Sequence, residues 1–244
     1  MGIDQPSLRR DILVCNMKGV HGAPMAESAI ASMLALSRDY PRVFRARDRH
    51  AWERWPARLI EGKTLVVVGV GQIAEALAPR AKALGMRVVG VTGMPRPVLG
   101  FDAMRPTTEL AQAVAEADHL VLLSPHTPAT HHMIDARIIA AMKPTAYLIN
   151  LARGGVLDES ALLEAVRWGK IGGAALDVFD TEPLPADHPF WTINDVIITS
   201  HLGGFFDGYP ERVLPIAIEN LRRFFANDTD RLVNKIEWCY REPE

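Results

Sequence analysis

The sequence has 244 residues, an apolar fraction of 48%, a charged fraction of 23% and a formal net charge of −2. These values describe an ordinary globule of one large or two small domains, and they exclude nucleic acid and anionic membrane as electrostatically driven partners. Cys15 and Cys239 stand at opposite ends, which suits a reducing cytoplasm better than a disulfide framework; no apolar run is long enough to span a bilayer, and "MGIDQPSLRRDILVC" lacks the apolar core of a secretion signal.

In chain order, the first predicted element is a lone strand at "ILVCN" (12–16) with no neighbour in sequence to pair with. A helix follows from Pro24 to Ser37, where Ala26, Ile30, Met33, Leu34 and Leu36 make a broad apolar face. From Gly62 onward, short β-branched runs alternate with amphipathic stretches. Strands are predicted at 64–70, 87–92, 119–124, 146–152, 173–179 and 196–200, each apolar nearly throughout, as strands buried on both faces should be. Helices are predicted at 72–84, 107–116, 135–142 and 158–168, the last with Asp158 as N-cap and Gly169 as C-terminal stop. A further amphipathic helix is predicted at 210–226, with Val213, Ile216, Ala217, Leu221, Phe224 and Phe225 on its apolar side, and a short strand-like piece at 231–238. The alternation of strand and helix implies an α/β fold, a doubly wound parallel sheet of the Rossmann type.

Gly69, Gly71 and Ala74 form Gly-x-Gly-x-x-Ala directly after a predicted strand and at the opening of a helix. The first glycine permits a tight turn, the second lets the backbone approach a pyrophosphate, and the small third residue lets helix and strand pack closely. In that context the pattern points to a dinucleotide rather than to a merely structural turn. The next strand, "RVVGVT", ends without the acidic residue that usually holds the ribose hydroxyls of NAD. Thr92 carries no charge to repel a 2′-phosphate, and Arg96 is close enough in sequence to pair with one. NADP is therefore favoured over NAD, although Arg96 as a solvated loop residue is the plainer alternative.

Three polar residues follow three strands: Arg153 after "AYLINLA", Glu182 after "GAALDVF" and His201 after "VIITS". The carboxyl edge of an open α/β sheet is where ligands bind. Arg153 would grip a substrate carboxylate through its planar fork. His201 would exchange a proton with the substrate oxygen, and Glu182 would orient the imidazole and stabilise its charged form. Taken singly, each has a plainer explanation: a surface turn, a loop residue before Pro183, and a helix cap. All three falling on one functional edge argues for a hydride-transfer site.

The motifs "VGVGQIAEALAPRAKALGMRVVGV", "LLSPHTPATHHMID", "AMKPTAYLINLARGGVLDESAL", "GGAALDVFDTEPLP" and "VIITSHLGG" resemble, in order and spacing, the successive signatures of the D-isomer-specific 2-hydroxyacid dehydrogenases. The resemblance covers roughly residues 12–226. It implies Arg153, Glu182 and His201 as the catalytic set. It also implies that Gln72 and Ile73 contact the pyrophosphate, that Ser124 and Pro125 line the adenosine side, that Asp177 contacts the nicotinamide amide, and that Leu151, Ala152 and Gly203 lie beside the nicotinamide. The implied activity is hydride transfer between NADP or NAD and a small 2-oxo or 2-hydroxy acid, as in glyoxylate and hydroxypyruvate reductases.

The chain departs from that pattern in its first part. The family has a second, flavodoxin-like substrate domain built mainly from the N-terminal part, of which this sequence carries only remnants. The resemblance therefore assigns 22–206 to the NAD(P)-binding domain, and 1–21 and 207–244 to a remnant of the substrate-binding domain. The lone strand and the apolar faces of both flanking helices are expected to lack their cover. Three accounts follow: a truncated piece of a working enzyme, a short form completed by another chain, or a catalytically silent NAD(P)-binding regulatory or scaffolding protein.

"RVFRARDRHAWERWPAR" (42–58) carries six arginines with Trp52 and Trp55. Asp48 and Glu53 dilute its charge, and the family uses this segment as a dimer arm, so a homodimer through 24–58 is expected rather than nucleic acid. His126, His131 and His132 have no cysteine beside them, and no metal is expected there. The segment "WCYREPE" reads as an ordinary tail.

Overall fold

The computed structural model describes residues 12–236, which fall into two compact units. The larger spans His21–Phe205; the smaller joins the chain up to Val20 with the chain from Phe206 onward.

The larger unit is built on seven strands: β1 (Thr64–Val68), β2 (Arg87–Thr92), β3 (Ala103–Pro106), β4 (His119–Leu122), β5 (Tyr147–Asn150), β6 (Gly173–Leu176) and β7 (Val196–Ile198). They pair in the order β3-β2-β1-β4-β5-β6-β7, every neighbour parallel. The order reverses between β1 and β4, and ligands bind at that crevice in such sheets. Five helices cover the faces, α1 (Gly22–Ser37), α3 (Gln72–Ala83), α4 (Leu110–Glu116), α5 (Ala136–Ala140) and α6 (Glu159–Arg167), and α2 (Tyr40–Asp48) lies against α1.

Alternate strand residues feed two cores. Val66, Val68, Val89, Leu120, Leu122, Leu148 and Leu176 pack with α4, α5 and α6, while Leu65, Val67, Val88, Val121 and Ile149 pack with α1 and α3. Burial on both faces is the reason these strands read as continuous apolar runs.

Two elements escape sequence reading. β3 is "AMRP", a half-buried edge strand with no apolar run. α2 buries only Ala46 and shows no sustained apolar face, but Asp39 starts it by accepting a hydrogen bond from Arg42 N, with a proline in the first turn. The helix predicted at 107–116 begins as a 3-10 turn, Thr107–Glu109, before α4. Asp158 caps α6 by accepting from Ala161 N, and Gly169 turns away with φ +61°.

One expectation is corrected in part. Most of the apolar face of α1 has cover, since Ala26 and Met33, with Ala29, are fully buried against Leu65, Val67, Ala74 and Leu77, while Ile30 is half-buried and Leu34 stays exposed.

In the smaller unit, "ILVCN" forms no strand. Cys15 makes a single antiparallel bridge to Lys235, flanked by Asn16 N donating to Asn234 O and Ile236 N donating to Val14 O. The strand-like piece at 231–238 is reduced to its half of that bridge; residues 237 and 238, with "WCYREPE" and Cys239, lie outside the described residues. α7 (Tyr209–Phe225) has no buried residue, and Leu221, Phe224 and Phe225 are exposed along it. Asn220 ties it to the returning chain, accepting from Val233 N and donating to Val233 O.

Candidate active site

The glycine turn lies between β1 and α3. Gly69 has φ +94°, and a Cβ there would stand 2.4 Å from Ser124 N, so only glycine lets the end of β1 approach the end of β4 so closely. Gly71 is the N-cap of α3, where no side chain caps the helix; a Cβ on Gly71 would meet nothing within 4 Å. No N-cap side chain engages the first amides of α3, those of Gln72 and Ile73, at the positive end of the helix dipole. That is the surrounding a pyrophosphate needs, and the residues fit the group. Ala74 is fully buried beneath the turn.

Thr92 ends β2, and Arg96, four residues on, pairs through Nη2 with Glu75 Oε1 at 2.7 Å. Ser124 is buried at the end of β4, and Pro125 is exposed with its carbonyl accepting from Thr130 Oγ1 at 2.6 Å.

Beyond β5, the buried Asn150 stitches the turn. Its Oδ1 accepts from Ala152 N and its Nδ2 donates to Arg153 O, so Leu151 and Ala152 stay buried while the Arg153 side chain emerges. Gly154 follows where a Cβ would stand 2.0 Å from the Phe179 carbonyl carbon. The missing side chain lets the chain after β5 press against the chain after β6.

Beyond β6, Asp177 is only 3% exposed and carries the turn that follows β7. Its carboxylate accepts from Thr199 Oγ1, Leu202 N and Gly203 N, and its carbonyl accepts from His201 N. His201 is thereby held in the left-handed region, φ +55°. Its Nδ1 lies 2.8 Å from Glu182 Oε2, while Glu182 Oε1 accepts from Phe179 N. Both side chains stay open to solvent, at 47% and 37% of full exposure. Burial pushes the Glu182 carboxyl upward, but the hydrogen bonds from His201 and Phe179 N and the charges of His201 and Arg153 outweigh it. The carboxyl is left below the ordinary glutamate range. Arg153, Glu182 and His201 thus form one electrostatic group.

The histidines of the β4 loop stack on one another: His126 Nε2 is 3.0 Å from His131 Nδ1, and the rings of His131 and His132 lie 3.9 Å apart. Among the described residues, no group of three or more His, Cys, Asp or Glu is disposed to hold a metal ion.

With this geometry in hand, residues 30–203 match the model of the D-isomer specific 2-hydroxyacid dehydrogenase NAD-binding domain. The chain belongs to that family. It is 34% identical over 96% of its length to a D-3-phosphoglycerate dehydrogenase of Methanocaldococcus jannaschii, of which it spans 46%. A family protein of Aeromonas salmonicida subsp. salmonicida A449 superposes with a TM-score of 0.88 at 36% identity, covering 96% of this chain and 74% of that one. A family member from Xanthobacter autotrophicus Py2, solved with NADPH and MES, superposes at 0.84 and 30% identity, covering 96% and 95% of the two chains. This chain therefore spans about half the length of the first of these relatives.

Within this 2-hydroxyacid dehydrogenase domain, sequence reading passed over Asn150, Gly154 and Glu75. A polar residue closing the apolar run "AYLIN" was the available signal for Asn150; Gly154 and Glu75 gave none, because their roles arise from segments distant in the chain. Asp177 proves to be the clasp of the His201 turn.

Proposed function

We propose that this chain reduces a small 2-oxo acid, of the glyoxylate or hydroxypyruvate class, to the 2-hydroxy acid with a nicotinamide cofactor, preferring NADPH. The observation that carries the reading is the 2.8 Å pair of His201 Nδ1 and Glu182 Oε2 beside Arg153, at the carboxyl edge of the sheet.

Arg153 pairs with the substrate carboxylate through two parallel hydrogen bonds, fixing the oxo carbon and its oxygen in place. With Nδ1 engaged by Glu182, His201 presents Nε2 to that oxygen. The imidazolium gives up its Nε2 proton as the oxygen gains charge, and Glu182 favours the imidazolium beforehand and holds the ring afterwards. A bound nicotinamide would supply the hydride to the oxo carbon. Gln72 and Ile73 amides hold the pyrophosphate, Ser124 and Pro125 line the adenosine side, Leu151, Ala152 and Gly203 lie beside the nicotinamide, Asp177 contacts its amide, and Arg96 near Thr92 meets the 2′-phosphate. The Xanthobacter autotrophicus relative, solved in complex with NADPH, supports that last assignment.

In this reading residues 22–206 are the cofactor domain, and 1–21 with 207–244 are the share of a substrate-binding domain that this sequence carries. The protein works in the cytoplasm as a homodimer through 24–58, where Phe44 and the 95% exposed Trp52 offer apolar surface. No helix among the described residues is long and apolar enough to cross a membrane.

NADPH oxidation with glyoxylate, hydroxypyruvate and pyruvate tests the proposal. Turnover that His201→Asn cuts by about 10²- to 10⁴-fold is the expected result. NADPH binding without turnover on any 2-oxo acid overturns it in favour of a silent cofactor-binding protein. Sedimentation as a monomer at micromolar concentration would overturn the dimer.

A further inference from the structure

The ribose corner lacks an acidic residue on β2, yet a carboxylate reaches it from α3. Glu75 lies in the first turn of that helix and pairs at 2.7 Å with Arg96, the arginine that follows Thr92. The pair is built in a particular way. Arg96 stands between Pro95 and Pro97, whose fixed φ angles limit where its backbone can go. It meets Glu75 through one nitrogen, Nη2, so the planar fork is not consumed by a two-pronged pair. Glu75 gains from the helix dipole, but a pyrophosphate at the same helix end would compete for that field.

We propose that Glu75 is a specificity-determining residue for the cofactor: by neutralising Arg96 it weakens the hold on a 2′-phosphate and leaves the plain ribose of NAD almost untouched. The inference rests on the reading that Arg96 is the residue meeting the 2′-phosphate. A phosphate monoester brings a charge of about −1.5 to −2 at neutral pH. Beside Arg96 alone it meets a free cation. Beside the Glu75–Arg96 pair it meets no net charge, and it must either draw the guanidinium from Glu75 or share it. A 2′-hydroxyl carries no charge and feels neither arrangement strongly. The pair thus sets a modest preference for NADPH where Arg96 alone would set a steep one. An exposed ion pair of this kind is worth up to about 1 kcal/mol, so removing it should change affinity by about 5-fold.

The test is a double-mutant cycle on the full chain, with dissociation constants for NADPH and NADH read from nicotinamide fluorescence. Glu75→Gln keeps shape and solubility and is expected to tighten NADPH about 5-fold while moving NADH less than about 2-fold. In an Arg96→Ala background the same substitution should shift the NADPH-to-NADH ratio by less than half as much. An unchanged ratio in Glu75→Gln overturns the proposal, as does an equal shift with and without Arg96, which would make Glu75 a bare charge near the phosphate. The underlying reading fails separately, and is recognised separately, if Arg96→Ala weakens NADPH and NADH alike.

Discussion

The two edges of the parallel sheet use the same device to different ends. At the amino edge, Asp118 accepts from Thr64 N at the start of β1 and pairs with Lys143, and Asp102 accepts from Val88 N in β2 and pairs with Lys82. At the carboxyl edge, Asp177 and Glu182 likewise accept loop amides. The difference lies in what each carboxylate holds besides. The amino edge closes these two carboxylates on lysines, and its histidine, His119, is 2% exposed, bonded to Ser37 Oγ at 2.9 Å and tilted against the ring of Tyr147. The carboxyl edge holds out an imidazole and, beside it, a guanidinium. One edge turns its charged groups on one another; the other leaves His201 and Glu182 open to solvent.

Four measurements break or sharpen that contrast, from the largest expected effect down. His201→Asn should cut kcat about 10²- to 10⁴-fold, the usual reach of a general acid, while the unfolding free energy from urea titration moves by no more than about 0.5 kcal/mol. Asparagine suits the site because it tolerates the left-handed backbone that His201 adopts. A comparable loss of stability would make the carboxyl edge structural as well.

His119 should act the other way. Burial, aided by the charges of Lys63 and Arg58 and opposed by Asp118, lowers its pKa from 6.5 to about 4. The unfolded chain binds this proton first on acidification, so stability is fully present above pH 6.5 and falls as pH drops towards 4, by about 3 kcal/mol in all. Urea unfolding across that window should show the slope, and His119→Gln should flatten it without altering NADPH affinity at neutral pH. A slope that survives the substitution would remove His119 as its source.

Asn150→Ala strips partners from Ala152 N and Arg153 O and should cost about 1–3 kcal/mol. It should also raise KM for the 2-oxo acid more than it lowers kcat, since Arg153 loses its anchor. An unchanged KM would detach the turn from substrate binding. Asp102→Asn is the smallest, up to about 1 kcal/mol of stability at neutral pH with kinetics unaltered; a changed kcat would mean the amino edge reaches the site.

The sheet was legible because β1, β2, β4, β5 and β6 are buried on both faces and cannot hide their composition, and because the half-buried edge strand β7 is still a run of β-branched residues, Val196–Ile198. β3 and α2 were not, because each is short, exposed in part, and positioned by its neighbours rather than by its own pattern. The contrast of α1 with α7 carries the same lesson. Both show an apolar face in sequence, but only α1 finds a surface for it, through Ala26, Ala29 and Met33, whereas nothing on α7 is buried. Periodicity states that a face is apolar and is silent on what it meets.

Sequence alone determined the parallel α/β plan, the glycine turn, and the presence of Arg153, Glu182 and His201 just past three strands. Strand period and turn chemistry are local, and they survive without knowledge of the fold. Tertiary structure decided which atoms meet: Asp177 clasping the His201 turn, Gly154 admitting the crossing at Phe179, and Glu75 reaching Arg96 from another element. Those pairings join residues far apart in the chain, and only the packing of strands and helices into one body brings their side chains within hydrogen-bond reach.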